Sequence, residues 1–178
     1  MRGRESAIGV NLRALAPALD RWRLASVEAA RRGVPPHITL LYPWRPAPLC
    51  QDDLAEAVAA LMDVPPFTVT LRDLGRFPGV LYLRPEPQDV LRYLIERLAA
   101  AFPDTPPYGG AIADPLPHLT VAKADGEDAL DRIEAEVRAA IGALLPLTQL
   151  VEAIAIEEEG EDGTWSQRIA IPLGRSGQ

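Results

Sequence analysis

One short motif occurs twice in the chain and constrains the fold more than any other feature of the sequence. Its copies are Pro36-His37-Ile38-Thr39 and Pro117-His118-Leu119-Thr120, and the two histidines are 81 residues apart. These are the only histidines in the sequence, so no histidine lies outside the motif. At the residue frequencies of this chain, a given histidine has such neighbours by chance with odds of roughly one in a thousand. Two matches therefore indicate an internal repeat.

Strand-like and helix-like periodicities follow the two motif copies in the same order. Each copy opens a strand, and a helix and a pair of strands come after it. The predicted strands span 6–12, 37–43, 67–73, 80–84, 118–123, 150–157 and 165–172, and the predicted helices span 14–31, 51–62, 88–102 and 127–144. Since two strand pairs look like hairpins, this order predicts an α+β fold and not a parallel α/β sheet. The chain has the length of one domain, so we expect residues 1–178 to form a single unit.

The spacing inside each motif predicts which side chains lie together. Side chains two residues apart in a strand point to the same side. His37 and Thr39 should therefore share one face, as should His118 and Thr120, while the apolar residues between them point into a core. If the two halves pack about a pseudo-two-fold axis, both pairs can face each other across one cleft.

Two imidazoles and two hydroxyls suit a particular chemistry. Imidazole titrates near neutral pH, so one neutral histidine can accept a proton while a second, protonated, donates one. Threonine hydroxyls can donate hydrogen bonds to phosphoryl oxygens. The sequence contains no carboxylate motif that would hold a metal, and we expect neither a metal nor a cofactor. The pattern favours cleavage of a phosphoester, most easily a strained cyclic phosphate.

The doubled motif resembles a known family. With Gly33-Val34-Pro35-Pro36-His37-Ile38-Thr39-Leu40-Leu41-Tyr42-Pro43-Trp44 as its first copy, the chain resembles the two-histidine (2H) phosphoesterase superfamily. Within it, the chain is most similar to the bacterial 2'-5' RNA ligase and 2',3'-cyclic phosphodiesterase branch. The resemblance implies a bilobal α+β fold. Its two antiparallel sheets, flanked by helices and related by pseudo-two-fold symmetry, enclose a central cleft.

The same resemblance implies an activity and residue roles. It implies hydrolysis of 2',3'-cyclic phosphates of nucleotides or RNA ends, typically to 2'-phosphates, and in some members reversible 2'-5' ligation. His37 and His118 would be the acid–base pair, and Thr39 and Thr120 would bind the phosphate. Which histidine is the base stays open.

Four further residues are weaker candidates for substrate binding. Relatives often place a basic residue where Lys123 stands, but strict alternation points this side chain away from His118 unless the strand bulges. Phe77 and Tyr82 flank a Pro-Gly turn and could stack on a base, although packing is the better explanation for both. Tyr108, in the Gly- and Pro-rich loop 103–117, is a candidate lid residue.

Charge limits the kind of partner. The net charge of −7 argues against a broad nucleic-acid-binding surface, so we expect no extended duplex as ligand. Residues 1–50 carry eight basic and three acidic groups, and this basic segment could attract a small anion such as a nucleotide or an RNA terminus. The single cysteine, Cys50, and the lack of a long apolar run favour a cytoplasmic protein without membrane contact. We expect a monomer.

Two alternatives stay open at this point. The cleft could bind an RNA end or nucleotide without cleaving it, in which case saturable binding would occur without turnover. Alternatively, the same acid–base chemistry could act on another cyclic phosphate, such as a derivative of ADP-ribose.

Overall fold

Two four-stranded antiparallel sheets carry the fold in the computed structural model, which describes residues 3–174. The strands are β1 (Ser6–Asn11), β2 (His37–Leu41), β3 (Phe67–Phe77), β4 (Val80–Glu86), β5 (Leu119–Lys123), β6 (Leu147–Val151), β7 (Ala153–Glu159) and β8 (Trp165–Pro172). The helices are α1 (Ala16–Ser26), α2 (Glu28–Arg31), α3 (Gln51–Leu61), α4 (Gln88–Ala101) and α5 (Glu127–Ile141). Short 3-10 turns span Arg13–Leu15, Pro107–Gly110 and Gly142–Leu144.

The two sheets have equivalent strand orders. Sheet A has the order β2-β1-β7-β8, and sheet B has the order β5-β4-β3-β6. Each motif strand, β2 or β5, forms an edge of its sheet and pairs with the strand that precedes it in sequence, β1 or β4. The edges β2 and β5 lie against each other. The predicted α+β class with two antiparallel sheets is therefore confirmed.

The chain crosses between the sheets twice, which corrects one strand prediction. The segment predicted as one strand over 150–157 is two strands, because β6 ends in sheet B at Val151 and β7 begins in sheet A at Ala153. The sequence does not mark this crossing, because apolar residues continue from Leu150 and Val151 into Ala153 and Ile154. Sheet A is consequently built from both ends of the chain and sheet B from its middle.

The first helix also differs from its prediction. The segment predicted as one helix over 14–31 begins with a 3-10 turn and breaks at Val27, whose backbone is extended (φ −105°, ψ 110°). Val27 is buried, and its N–H still donates to the Arg23 carbonyl at 2.7 Å. The extended backbone of Val27 thus separates α1 from α2. The predicted helix over 127–144 similarly ends at Ile141 and continues as a 3-10 turn.

Helices pack on the sheets through regular apolar stripes. In α4 the buried residues Leu91, Leu94, Ile95 and Leu98 follow the helical spacing that a core-facing stripe requires. Helix α4 packs against β2 of sheet A, while α1 packs against β5 of sheet B. Each motif strand is therefore covered by a helix from the opposite half of the sequence.

Leu98→Ala should destabilise the protein by about 2–5 kcal/mol, because the side chain is fully buried and its loss leaves a cavity. The matched control is Leu144→Ala, since Leu144 is 56% exposed and its truncation should change stability by less than about 0.5 kcal/mol. Urea unfolding of both variants measures the difference. Equal losses would contradict the packing of α4 described above.

Candidate active site

Both histidines are held by the same hydrogen bond. His37 Nδ1 lies 2.9 Å from the carbonyl oxygen of Pro35, and His118 Nδ1 lies 2.7 Å from that of Leu116. A carbonyl can only accept, so each Nδ1 carries the proton. In the neutral ring Nε2 is then the unprotonated nitrogen, and in the imidazolium it is the second donor. Each ring is thereby oriented so that Nε2 can exchange protons.

The pKa values of both histidines lie below their usual range. Burial is the main cause at His37, and the positive charges of Arg23 and His118 act in the same direction, lowering its pKa to about 4 against the opposing effect of the Pro35 hydrogen bond. At His118, burial and the charge of Lys123 lower the pKa, and the hydrogen bond to Leu116 opposes them. The two rings lie close enough for the charge of one to disfavour protonation of the other.

The two threonines lie beside the histidines as the alternation predicts. Along β2, His37 and Thr39 are half-buried, and Ile38 between them is fully buried. The second motif repeats the pattern, with Thr120 half-buried between the buried Leu119 and Val121. Because β2 and β5 are adjacent, the structure brings both His/Thr pairs close together where the two sheets meet.

A β-bulge follows the threonine in each motif. Thr39 pairs with Gly9 and Leu41 with Ile8, so Leu40 is the extra residue in β2. In β5, Thr120 pairs with Tyr82 and Ala122 with Leu81, so the extra residue is Val121. A bulge shifts the side-chain alternation by one residue. This shift explains why two consecutive residues are buried in each strand, Leu40 and Leu41 in β2 and Val121 and Ala122 in β5.

The bulge corrects the expected direction of Lys123. Strict alternation turns this side chain away from His118, whereas the bulge returns it to the side of Thr120, and its charge acts on His118. The equivalent residue in the first motif is Tyr42. Its ring lies 6.2 Å from that of Trp165, and its hydroxyl donates to Glu5. A cation and a phenol therefore occupy matching positions in the two halves.

Tyr108 reaches the first motif from the loop 103–117. Its N–H donates to the Tyr42 carbonyl at 2.6 Å, and its side chain hydrogen-bonds with that of Thr39. Burial raises the pKa of Tyr108, and the bond with Thr39 opposes this, so the phenol is neutral at pH 7. Tyr108 adopts φ 54°, a left-handed conformation that disfavours non-glycine residues and marks a constrained position.

Phe77 and Tyr82 pack around His118. The two rings stack with centroids 4.4 Å apart, and they meet the imidazole edge-on at 5.0 Å and 5.5 Å respectively. Tyr82 is only 3% exposed, which corrects the idea that it stacks on a base: its ring faces are covered by protein. Gly75 makes this packing possible, since a Cβ there would approach the Tyr82 ring to within 2.5 Å.

Sequence reasoning missed Arg23 as a residue near the site. It is 2% exposed and donates to the same Pro35 carbonyl that accepts from His37. The available signal was its position in α1, since Leu19, Trp22 and Arg23 share one buried helix face and a charged residue on such a face needs a reason. Gly75 was missed because no residue pattern reveals the approach of Tyr82.

Metal-binding clusters and membrane-spanning helices are both absent from the part of the chain that the structure describes. Within residues 3–174 no group of three or more His, Cys, Asp or Glu side chains is arranged to hold a metal ion. In the same range, no helix is long and apolar enough to span a membrane.

The two copies of the motif thus lie at the facing edge strands of two antiparallel sheets. A model of the 2'-5' RNA ligase superfamily matches residues 12–163. This range covers most of the chain, so the protein belongs to the 2'-5' RNA ligase superfamily, a class of phosphoesterases and ligases.

Solved structures support the fold. The structure is similar to E. coli LigT complexed with NADP+, with a TM-score of 0.62 and 18% identity over 98% of this chain and 100% of that one. LigT complexed with 3'-AMP has a TM-score of 0.62 and 17% sequence identity over the same shares of the two chains. The protein TT0787 of Thermus thermophilus has a TM-score of 0.57 and 22% sequence identity over 95% of this chain and 97% of that one. No curated protein matches the chain.

The lowered pKa of His37 predicts a dependence of stability on pH. The unfolded chain binds a proton at His37 below about pH 6.5, whereas the folded chain does so only near pH 4. Stability should therefore rise between pH 4 and 6.5, with about 3 kcal/mol attributable to this group, and then level off. In His37→Gln, urea unfolding should show a shallower rise over this range. Parallel curves for both proteins would contradict the burial of a neutral His37.

Proposed function

We propose that this protein hydrolyses 2',3'-cyclic phosphates of nucleotides or RNA ends to 2'-phosphates, using His37 and His118 as an acid–base pair. The observation that carries the proposal is the matching hydrogen bond from each Nδ1 to a carbonyl two residues upstream. It leaves both Nε2 atoms for proton transfer, one at the start of β2 and one directly before β5. A pair of oriented imidazoles contributes typically about a hundred- to ten-thousand-fold per group to such a reaction.

The proposed reaction breaks one P–O bond. One neutral imidazole takes a proton from water through Nε2, and the water oxygen attacks phosphorus. The P–O3' bond breaks, and the other histidine, protonated, donates its Nε2 proton to the departing 3' oxygen. A 2'-phosphate and a 3'-hydroxyl result. When a 5'-hydroxyl replaces water, the same steps join two strands through a 2'-5' linkage.

Thr39 and Thr120 would donate hydrogen bonds to the non-bridging phosphate oxygens, because each hydroxyl lies beside a histidine on the cleft face. Lys123 adds a positive charge near His118. Both histidines are mainly neutral at pH 7 in the free protein, so bound phosphate has a second effect. Its negative charge favours the protonated form of an imidazole and thereby supplies the required acid.

Nucleotides are the substrate class that the relatives support. E. coli LigT has been solved with NADP+, 3'-AMP and ATP, and these complexes concern that protein. The net charge of −7 disfavours long duplexes, while a single nucleotide or an RNA end presents few phosphates. We therefore propose a nucleotide or RNA terminus with a cyclic phosphate as the substrate.

His37→Ala and His118→Ala should each lower turnover by several orders of magnitude, because each removes one proton-transfer group. The assay uses the four nucleoside 2',3'-cyclic monophosphates with EDTA present, and the products are separated into 2'- and 3'-phosphates. We expect 2'-phosphates from the unmodified protein, unaffected by EDTA.

The controls separate the proposal from its competitors. Full activity in either alanine variant would refute the acid–base assignment, provided that circular dichroism shows a folded protein. Saturable nucleotide binding without turnover, over a panel that includes RNA ends and ADP-ribose cyclic phosphates, would favour a binding module. Turnover of an ADP-ribose derivative alone would keep the chemistry and change the substrate.

Tyr108→Phe tests the contribution of the loop 103–117. The variant loses only the hydroxyl that hydrogen-bonds with Thr39, so kcat/KM should fall by about 2- to 12-fold, the equivalent of one hydrogen bond of 0.5–1.5 kcal/mol. Tyr93→Phe is the matched control, since Tyr93 is 52% exposed and its hydroxyl accepts a hydrogen bond from Arg97 on the surface of α4. Equal kinetics in both variants would remove Tyr108 from the site.

A further inference from the structure

Arg23 is the most deeply buried charged side chain near the cleft. It lies in α1, is 2% exposed, and its guanidinium donates to the carbonyls of Val34 at 3.0 Å and Pro35 at 2.9 Å. It also donates to Asp20 at 2.8 Å. Burial of an arginine carries a large desolvation cost, and its Nε has no hydrogen-bond partner among residues 3–174. Apolar residues of similar volume would often stabilise such a position better, so stability alone does not account for Arg23.

The contacts of Arg23 converge on the carbonyl that orients His37. The Pro35 oxygen has two lone pairs, and it accepts from the Arg23 guanidinium and from His37 Nδ1, each at 2.9 Å. By also binding the Val34 carbonyl, the planar guanidinium fixes two successive peptide groups. The peptide that determines the tautomer and orientation of His37 is thereby held from the side of α1.

We propose that Arg23 is a positioning residue that holds the His37 imidazole in its reactive orientation through the carbonyl of Pro35. The kinetic consequence rests on the function proposed above for His37, whereas the structural consequence does not.

The second motif offers an internal comparison. There the peptides before His118 are held by Gln88, the first residue of α4, whose Nε2 donates to Pro117 at 3.3 Å and to Pro85 at 2.7 Å. Gln88 is neutral and contacts the carbonyl next to the one that binds His118. A helix side chain thus contacts the segment before the histidine in both halves, but only Arg23 binds the carbonyl that orients the imidazole.

The same helix reaches both motif strands. Ser26, three residues after Arg23, accepts a hydrogen bond from the N–H of Lys123 at 3.1 Å. Helix α1 therefore contacts the loop before β2 through Arg23 and the end of β5 through Ser26. This arrangement ties the position of His37 to the strand that follows His118.

Arg23→Met tests the proposal, and nuclear magnetic resonance of the histidine rings is the direct readout. The untagged chain has two histidines, so His118 serves as a reference in the same spectrum. The charged groups that act on His37 are Arg23 and the imidazolium of His118. We expect His37 to titrate at higher pH and to lose its pure Nδ1–H tautomer, while His118 keeps its Nδ1–H tautomer.

Turnover of a cyclic phosphate provides the second readout. A displaced imidazole should lower kcat by about 10- to 100-fold with little change in KM, because its proton transfer occurs only in the transition state. Arg21→Met is the matched control, since Arg21 lies in the same helix with a side chain that is 75% exposed. An unchanged His37 resonance, or equal changes at both histidines, would overturn the proposal.

Arg23→Lys keeps the proposal testable if Arg23→Met does not fold. Lysine retains the positive charge, but a single ammonium group cannot reproduce the planar fork that binds two carbonyls and a carboxylate. We expect a folded protein with a mixed His37 tautomer and a smaller loss of kcat. A wild-type His37 tautomer and a wild-type kcat in Arg23→Lys would refute the role of the guanidinium. If the unmodified chain turns over no cyclic phosphate, the histidine spectra still decide whether Arg23 positions His37.

Discussion

The hydrogen bond from each imidazole Nδ1 to the carbonyl two residues upstream is the interaction on which the cleft depends. It determines the tautomer, the ring orientation and the direction of Nε2 at His37 and His118. The prolines of the motif contribute to it, because proline restricts the residue before it to extended conformations. Pro36 and Pro117 therefore limit the backbone of Pro35 and Leu116, the residues that supply the two carbonyls. The proline in each motif therefore has a structural role, because it restricts the residue whose carbonyl orients the histidine.

Because the chain crosses between the sheets, both repeats contribute strands and helices around the two histidines. The strands β3 and β4 of the first repeat pair in sheet B, and β7 and β8 of the second repeat return to sheet A. Helix α1 covers β5, and α4 covers β2. Neither motif strand can then shift without disturbing a helix from the other half. This exchange of elements provides the rigidity that two edge strands need to hold two side chains at a fixed separation.

Period-two alternation sufficed to predict the fold class and the pairing of each histidine with its threonine, because these depend on local geometry. It failed wherever a non-local contact decided the outcome. The bulge at Val121 comes from the register of β5 against β4, so the direction of Lys123 could not be inferred from β5 alone. The crossing at Glu152 and the burial of Arg23 likewise depend on partners far away in sequence. Composition gave no signal for Arg23 either, because the chain is rich in arginine and nothing in its composition distinguishes one arginine from the others.

The repeat is symmetric in its backbone and asymmetric in its surroundings. Two neighbouring imidazoles lose their protons in two steps even in identical environments, because the charge of one disfavours protonation of the other. Different surroundings decide which of the two histidines holds the single proton. In sheet B, Thr120 pairs with Tyr82 of β4, which pairs with Gly75 of β3. In sheet A, Thr39 pairs with Gly9 of β1, which pairs with Ala155 of β7. The first half has a buried guanidinium beside its histidine, and the second has the exposed ammonium of Lys123. Different charged residues thus act on the two histidines, although burial is the main cause that lowers the pKa of each.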